Sequence, residues 1–309
     1  MDKPRLLFMG SPEIAVPSLK ALVESGESIV AVITQPDRPA GRGQKITSCA
    51  VAEFAKDHDL LLLQPEKIRD VSFFEKLKGL APDLIVVVAY GKILPKEILE
   101  IPKHCVNLHF SLLPKYRGAA PVQWALINGE EETGVTTMFM VEKLDAGPIL
   151  MQKKVSIESD ETAETLGQRL ANSGAQLLVE TIGLLEKGDL RPTPQNESEA
   201  TLAPSLKKED GQLDFSKKAT TLLNQIRGVT PWPGAFTHLQ GKLLKIHRAS
   251  VSDKSGKPGE VLAISPEGIE IGCGKGSLVI HELQLEGKKR MLAAEFLKGH
   301  PLKLGSYLR

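Results

Sequence analysis

At 309 residues the chain is long enough for two domains, and its 41% hydrophobic and 25% charged content belongs to an ordinary globular protein, not to a disordered or fibrous one. Aromatic residues make up 5%, too few for base stacking to be the main binding device, and three scattered cysteines (Cys49, Cys105 and Cys273) offer no CxxC pair and no disulfide framework. The net charge of +1 hides an asymmetry: from Leu206 onward 17 Lys and Arg face 10 Asp and Glu, a net of +7, while the remainder has 22 against 28, a net of −6. A basic C-terminal part suits a polyanionic partner, and a solvated lysine face would give the same count. No signal-peptide pattern precedes the first apolar run, and the longest run, Leu84 to Ala89, is too short for a bilayer. A reducing cytoplasm is therefore the expected compartment.

The elements follow in order. RLLFMG, from Arg5 to Gly10, reads as a buried strand, and Ile14 to Glu24 as a helix with Pro12 and Glu13 at its first turn. IVAVITQ, LLLLQP, LIVVVAYG and CVNLHF are further apolar runs separated by candidate helices. Such alternation predicts a Rossmann-like, mostly parallel sheet with helices on both faces. The first turn, MGSPEIAVPSL, lacks GxGxxG, so a dinucleotide site is not expected; a ligand is still expected beyond the carboxyl ends of the strands. Asn107 and His109 close one strand, and Ala89-Tyr90-Gly91 closes another. The stretch from Gln35 to Ser48 is a long loop carrying Arg38, Arg42 and Lys45, with Arg42 between Gly41 and Gly43. It reads as a flexible basic finger for phosphates.

GVTTMFMVE and PILMQKKVS read as two strands joined by a turn from Lys143 to Gly147, which leaves Asp145 accessible. Asp160 is expected to cap a long amphipathic helix ending near Gly188. The proline-rich DLRPTPQNESEATLAPS then reads as a linker, giving a domain over 1–188, a linker over 189–205 and a second domain over 206–309. Beyond it come a helix from Lys217 to Arg227, a turn at Trp232, closely spaced strands (KLLKIHRASV, GEVLAIS, GIEIGCG, SLVIHELQLEG) and a short helix from Ala293 to Lys298. That spacing predicts a small C-terminal β-barrel.

The chemistry concentrates in VNLHFSLLPKYRG, from Val106 to Gly118. Period-two spacing puts Asn107 and His109 on one face of a strand end. A carboxamide can donate to a developing oxyanion, an imidazole can move a proton, and a carboxylate such as Asp145 can hold its cation. The same residue types also cap turns. His58, His104, His238, His247, His281 and His300 are scattered without metal-ligand spacing.

NxHxSLLPxxRG followed by LDAGPIL resembles the formyltransferases that use 10-formyltetrahydrofolate, and the likeness runs from MGSPEIA through VVVAYGKILP to PWPGAF. RPAGRG after a QPD turn is similar to the loop with which methionyl-tRNA formyltransferases enter the acceptor arm of tRNA. The resemblance implies a catalytic Rossmann-like domain and a C-terminal oligonucleotide-binding (OB)-like barrel. It implies Asn107, His109 and Asp145 as the catalytic set, and a folate site at Ser111, Leu112, Leu113 and Pro114, walled by Tyr90, Gly91, Ile93 and Leu94. It further implies Arg38, Arg42 and Lys45 on the tRNA. The donor would be 10-formyltetrahydrofolate, without metal, and the acceptor the α-amino group of methionyl initiator tRNA, for translation initiation. No membrane partner and a monomer are expected. Phe110 departs from the smaller residue the pattern calls for. Two other readings are a formyltransferase acting on a nucleotide-linked amino sugar or glycinamide ribonucleotide, and a tRNA-binding module with a degenerate catalytic domain.

Overall fold

The structure is a computed structural model that describes residues 3–40 and 45–309. The first strands are β1 (Arg5–Gly10), β2 (Ser28–Ile33), β3 (Arg38–Ala40), β4 (Lys45–Thr47) and β5 (Leu62–Leu63). They are followed by β6 (Leu84–Val88), β7 (His104–His109), β8 (Glu132–Phe139) and β9 (Ile149–Ser156). Between them run helices α1 (Val16–Glu24), α2 (Ala50–Asp57), α3 (Val71–Gly79), α4 (Lys96–Leu99) and α5 (Pro121–Ile127), and α6 (Ala163–Lys187) comes after β9. A seven-stranded sheet has the order β5-β2-β1-β6-β7-β8-β9. Pairing is parallel from β5 to β7 and antiparallel at β7–β8 and β8–β9, so the Rossmann-like, mostly parallel sheet expected from the sequence is present.

The central strands are apolar on both sides because both sides are covered. Leu7, Met9, Ala31, Ile33, Ile85, Val87 and Cys105 bury one face under Phe73, Leu77 and Ile98. On the other face Leu108 meets α6 at Gly174, where a Cβ would lie 2.8 Å from Leu108 Cδ2. Beside it the hydroxyls of Thr137 and Thr181 are 2.8 Å apart. The helix starts later than expected, and Thr162 rather than Asp160 caps it: its Oγ1 accepts from the Thr165 N–H at 3.3 Å. Among the described residues no helix is long and apolar enough to cross a membrane.

By compactness the chain falls into two units, one of residues 1–121, 132–156 and 167–204, the other of 122–131, 157–166 and 205–309. The second contains α7 (Ala219–Gly228), β10 (Ala235–Leu239), β11 (Lys242–Ser252), β12 (Val261–Ser265), β13 (Gly268–Gly272), β14 (Ser277–Leu285), β15 (Met291–Leu292) and α8 (Ala293–Gly299). Its antiparallel sheet runs β10-β11-β14-β13-β12, with β15 beside β14. Register shifts between Ile246 and Ala249 bend β11, as bulges do in barrels. The final residues bridge the two ends of the sheet. Val261 N donates to Ser306 O at 2.8 Å and Leu308 N to Gly259 O at 2.9 Å on the β12 side. On the β10 side His238 N donates to Arg309 O at 2.7 Å and Arg309 N to His238 O at 3.1 Å. Edge backbone groups that would otherwise be open are thus paired.

Leu308 is 3% exposed within this closure, whereas Leu304 is 66% exposed. Leu308→Ala should cost about 2–5 kcal/mol of stability in the second unit. Leu304→Ala should change it by less than about 0.5 kcal/mol. Urea denaturation of the two variants checks this difference.

Candidate active site

β6 ends in a sharp reversal. Ala89 has φ +48° and Gly91 φ +79°, left-handed values that cost an alanine more than a glycine. Neighbouring strand ends hold this reversal in place. Gln35 Nε2 donates to Tyr90 O at 3.0 Å, Gln35 N to Ser11 Oγ at 3.0 Å, and Gln64 Nε2 to Gln35 O at 3.1 Å. The carboxyl ends of β1, β2 and β6 therefore form one rigid rim.

Next to it β7 delivers Asn107 and His109, 8% and 6% exposed. Asn107 pairs in register with Val87 on β6 and Met138 on β8. Its carboxamide makes no hydrogen bond among the described residues. His109 Nε2 lies 2.9 Å from Tyr116 O. A carbonyl only accepts, which assigns the ring hydrogen to Nε2 and leaves Nδ1 as the basic atom. Nδ1 faces Asp145 Oδ2 at 3.7 Å, and the same oxygen accepts from Gly118 N at 2.8 Å. Asp145 itself sits at φ +47°, and its side chain is 13% exposed, so the accessible acid expected from the turn is mostly enclosed.

These three side chains line one cavity of about 440 Å³, walled by Tyr90, Ile93, Leu94, Phe110, Met138, Met140 and Leu144, with Gly91 at its edge. That volume and apolar lining with a few converging polar groups suit a small-molecule site. The Tyr90 hydroxyl is buried with no partner among the described residues, and burial pushes its pKa up to about 12. Phe110 is 6% exposed and forms part of the wall rather than disturbing the turn. Larger cavities of about 550 Å³ in the second unit, around Asp214, Phe215 and Leu308, and of about 520 Å³, around Asp83 and His104, do not bring a carboxamide, an imidazole and a carboxylate together, so the smaller one is the chemical candidate.

Ser111, Leu112, Leu113 and Pro114 are not among the residues lining that cavity. They form a tight turn fixed on β8 and β9. Thr136 Oγ1 donates to Ser111 O at 2.6 Å and accepts from Leu113 N at 3.3 Å and Gln152 Nε2 at 2.9 Å. Leu112 fills the space over Gly134, where a Cβ would come within 2.5 Å of Leu112 Cδ2. Burial pushes the thiols of Cys105 and Cys273 up to about 12 and about 11, which keeps both unreactive.

The basic finger is not a plain loop. Arg38 and Lys45 lie on the β3–β4 hairpin, pairing Arg38 with Thr47 and Ala40 with Lys45. Its base is pinned by Asp37, which accepts from Gln64 at 2.7 Å and Ser48 at 2.9 Å. Arg42 lies outside the described residues.

Sequence reasoning missed a second group of residues entirely. The segment taken as a linker runs along the first unit as a strap: Thr193 pairs with Ile149, and Leu202 with Arg117. Tyr116 N donates to Thr201 Oγ1 at 2.8 Å, and Ala203 N to Arg117 O at 2.7 Å. A Cβ on Gly118 would meet Ala203 O at 2.5 Å, so only glycine permits this approach. The strap thus fixes Tyr116 and Gly118, the backbone partners of His109 and Asp145. The available signal was Arg117, a cation beside Tyr116 and Gly118, which is 4% exposed and paired with Glu197 at 3.0 Å.

Residues 4–182 match the model of the family described as formyl transferase, and residues 205–301 match the formyl transferase C-terminal domain. The chain belongs to the formyltransferase family. The chain is 52% identical to the methionyl-tRNA formyltransferase of Geobacter sulfurreducens over 305 residues, 98% of this chain and 96% of the relative. To that of Myxococcus xanthus it is 52% identical over 307 residues, 99% and 98% of the two chains. In fold it is similar to HypX from Aquifex aeolicus, solved in complex with tetrahydrofolic acid (TM-score 0.67, 22% identity, 100% of this chain and 51% of that one). It is also similar to a Helicobacter canadensis N-formyltransferase solved with folinic acid and dTDP-3-aminofucose (TM-score 0.68, 20% identity, 90% and 98%).

Glu197 gives the strap a pH signature. Hydrogen bonds from Arg117, and then from Lys143, hold its carboxyl down at about 2, against an ordinary 4.5. A depressed folded-state value means that the stabilisation is complete above about 4.5 and is lost as pH falls toward 2. The urea midpoints of the wild type and Glu197→Gln should therefore differ by a constant amount from neutral pH down to about 5. The gap should narrow below about 4.5.

Proposed function

We propose that this protein transfers a formyl group from 10-formyltetrahydrofolate to the α-amino group of methionyl initiator tRNA, acting in the cytoplasm as a monomer. The observation that carries the reading is likeness over at least 98% of the chain, at 52% identity, to relatives bearing the name methionyl-tRNA formyltransferase. The cavity supports it. Its apolar walls and the Tyr90–Gly91 reversal suit a flat pterin, whose edge pairs with backbone groups while its faces pack on side chains. The SLLP turn, Ser111 to Pro114, anchored on Thr136, offers backbone groups to the folate from the exit of β7.

The donor supplies the formyl carbon, and the attacking amine must arrive uncharged. Asn107, held on β7 with its carboxamide unengaged, donates to the formyl oxygen as that oxygen gains charge. His109 keeps its Nε2 hydrogen on Tyr116 O, and its Nδ1 accepts the proton shed by the amine. The Asp145 carboxylate, 3.7 Å away, stabilises the imidazolium that results. The same proton is then available to the departing nitrogen. Arg38, Lys45 and the intervening Arg42 reach the acceptor end of the tRNA, and the basic residues after Leu206 run along its phosphates. The side chains that carry the reaction need no metal among them.

Asn107→Ala and His109→Ala should each lower kcat for formylation of charged initiator tRNA by about 10²–10³-fold at saturating substrates. Near-normal turnover in folded His109→Ala would reject the assignment. Free methionine and an amino-sugar nucleotide, tested beside the tRNA, should remain unformylated; formylation of the sugar alone would overturn the choice of acceptor.

Arg42→Leu should reduce turnover as well as affinity for tRNA, because misplacing the methionyl end costs rate. Lys288→Gln together with Lys289→Gln, both exposed on the basic C-terminal part, should instead weaken tRNA binding uniformly. The slope of log affinity against log salt should become shallower by about 0.9 for each phosphate that is no longer neutralised. Binding titrations at several salt concentrations measure it.

A further inference from the structure

We propose that Gln195 is a positioning residue for the reaction, acting through Asp145; this rests on the reading of Asn107, His109 and Asp145 as the reacting set. The Asp145 turn is an unfavourable piece of backbone. Asp145 is left-handed at φ +47°, and Gly147 approaches Phe139 so closely that a Cβ there would lie 1.7 Å from Phe139 O. Such conformations persist only where the surroundings over-determine them. Here one carboxamide takes up two carbonyls of the turn. Gln195 Nε2 donates to Asp145 O at 2.8 Å and to Gly147 O at 2.8 Å, closing both ends of the turn.

The carboxamide can face only one way. Its oxygen accepts from Arg117 Nε at 3.1 Å and Nη2 at 2.8 Å, so a flip would set NH₂ against a guanidinium and an oxygen against two carbonyls. The guanidinium is fixed in turn. Glu197 takes Arg117 Nη1 at 3.2 Å and Nη2 at 3.0 Å, and takes Lys143 Nζ, from the same turn as Asp145, at 2.6 Å. The main chain of Arg117 is gripped by the strap through Thr201 O at 2.9 Å, and the next residue, Gly118, supplies the N–H that binds Asp145 Oδ2. Both the carbonyl and the carboxylate of Asp145 are therefore set by one assembly of Arg117, Gly118 and Gln195. Gln195 touches no reacting atom. It fixes where the Asp145 carboxylate stands relative to His109.

The experiment uses the full chain and four variants: Gln195→Leu, Gln195→Glu, Asp145→Ala, and Asp145→Ala with Gln195→Leu. Gln195→Leu should lower kcat about tenfold to a hundredfold with KM for both substrates within about twofold, the signature of misplacement by a fraction of an ångström to 1 Å. It should also move the limb of the pH–rate profile that reports the His109 imidazole. Added to Asp145→Ala, Gln195→Leu should cause no further fall in kcat, because its effect runs through the missing carboxylate. Gln195→Glu keeps the shape and the Arg117 contact yet opposes a carboxylate to two carbonyls, so it should impair kcat as Gln195→Leu does; it serves as the test should the leucine variant fail to fold. An equal further loss in the Asp145→Ala background, or a loss confined to KM, overturns the proposal. Unchanged kcat in Gln195→Leu, with Asp145→Ala damaged, overturns it while leaving the site reading intact. Unchanged kcat in Asp145→Ala overturns the site reading and the proposal together.

Discussion

Everything at the site depends on the pairing of β7 with β8, where the sheet changes from parallel to antiparallel. The register sets Asn107 opposite Met138 and His109 opposite Thr136. A slip of one residue would turn Asn107 and His109 toward α6 and bring the Leu108 side chain to the cavity in their place, because side chains alternate along a strand. Two features hold the register. Leu108 is fitted over Gly174 with no room for a Cβ, and the Thr136 hydroxyl is fully used by Ser111 O, Leu113 N and Gln152. Apolar packing on one face and a satisfied buried hydroxyl at the strand end thus determine where the polar groups emerge.

The antiparallel edge has a second consequence. A parallel strand in place of β8 would need a long crossover before it began beside β7's amino end. Antiparallel β8 instead starts beside β7's carboxyl end and leaves opposite Val106, and the turn from Lys143 to Gly147 that follows it folds back over the strand ends to bring Asp145 within 3.7 Å of His109. The chain then crosses by α6 and comes back as the strap, whose Thr201 and Ala203 hold Tyr116 and Gly118. An imidazole with one ring nitrogen on a backbone carbonyl and the other toward a carboxylate is the outcome. The site is built mainly from backbone groups whose positions are fixed by packing, with few side chains free to move, the preorganisation that charge stabilisation requires.

The residue types that do chemistry were legible in the sequence because chemistry demands specific functional groups at specific spacing. Asn107 and His109 two apart at a strand end can be seen without a structure, and so can the apolar runs of a covered parallel sheet. The motif pointed to Ser111 to Pro114 as a binding turn and to Tyr90, Gly91, Ile93 and Leu94 as its wall; those four line the cavity together with Phe110 and Met138, which the motif did not assign to it, and the turn is seated on β8 through Thr136. The stretch from Asp189 reads as a tether because proline and polar residues lack periodicity. Its value lies in single hydrogen bonds to residues some eighty positions earlier, and composition carries no trace of those.

What the sequence determined by itself was whatever depends on local pattern and residue identity: strands and helices in alternation, an asymmetric charge, and a carboxamide, an imidazole and an acid of the right kinds. The tertiary structure alone decided which of these meet. The mostly enclosed Asp145, the buried carboxamide of Asn107, the Tyr90 hydroxyl with no partner among the described residues and the closure of the C-terminal sheet by Ser306 to Arg309 all follow from how residues remote in sequence pack together. Such packing is set by register, close approach at glycine and the need to pair buried polar groups. These constraints act only once the chain has folded, so no window of sequence contains them.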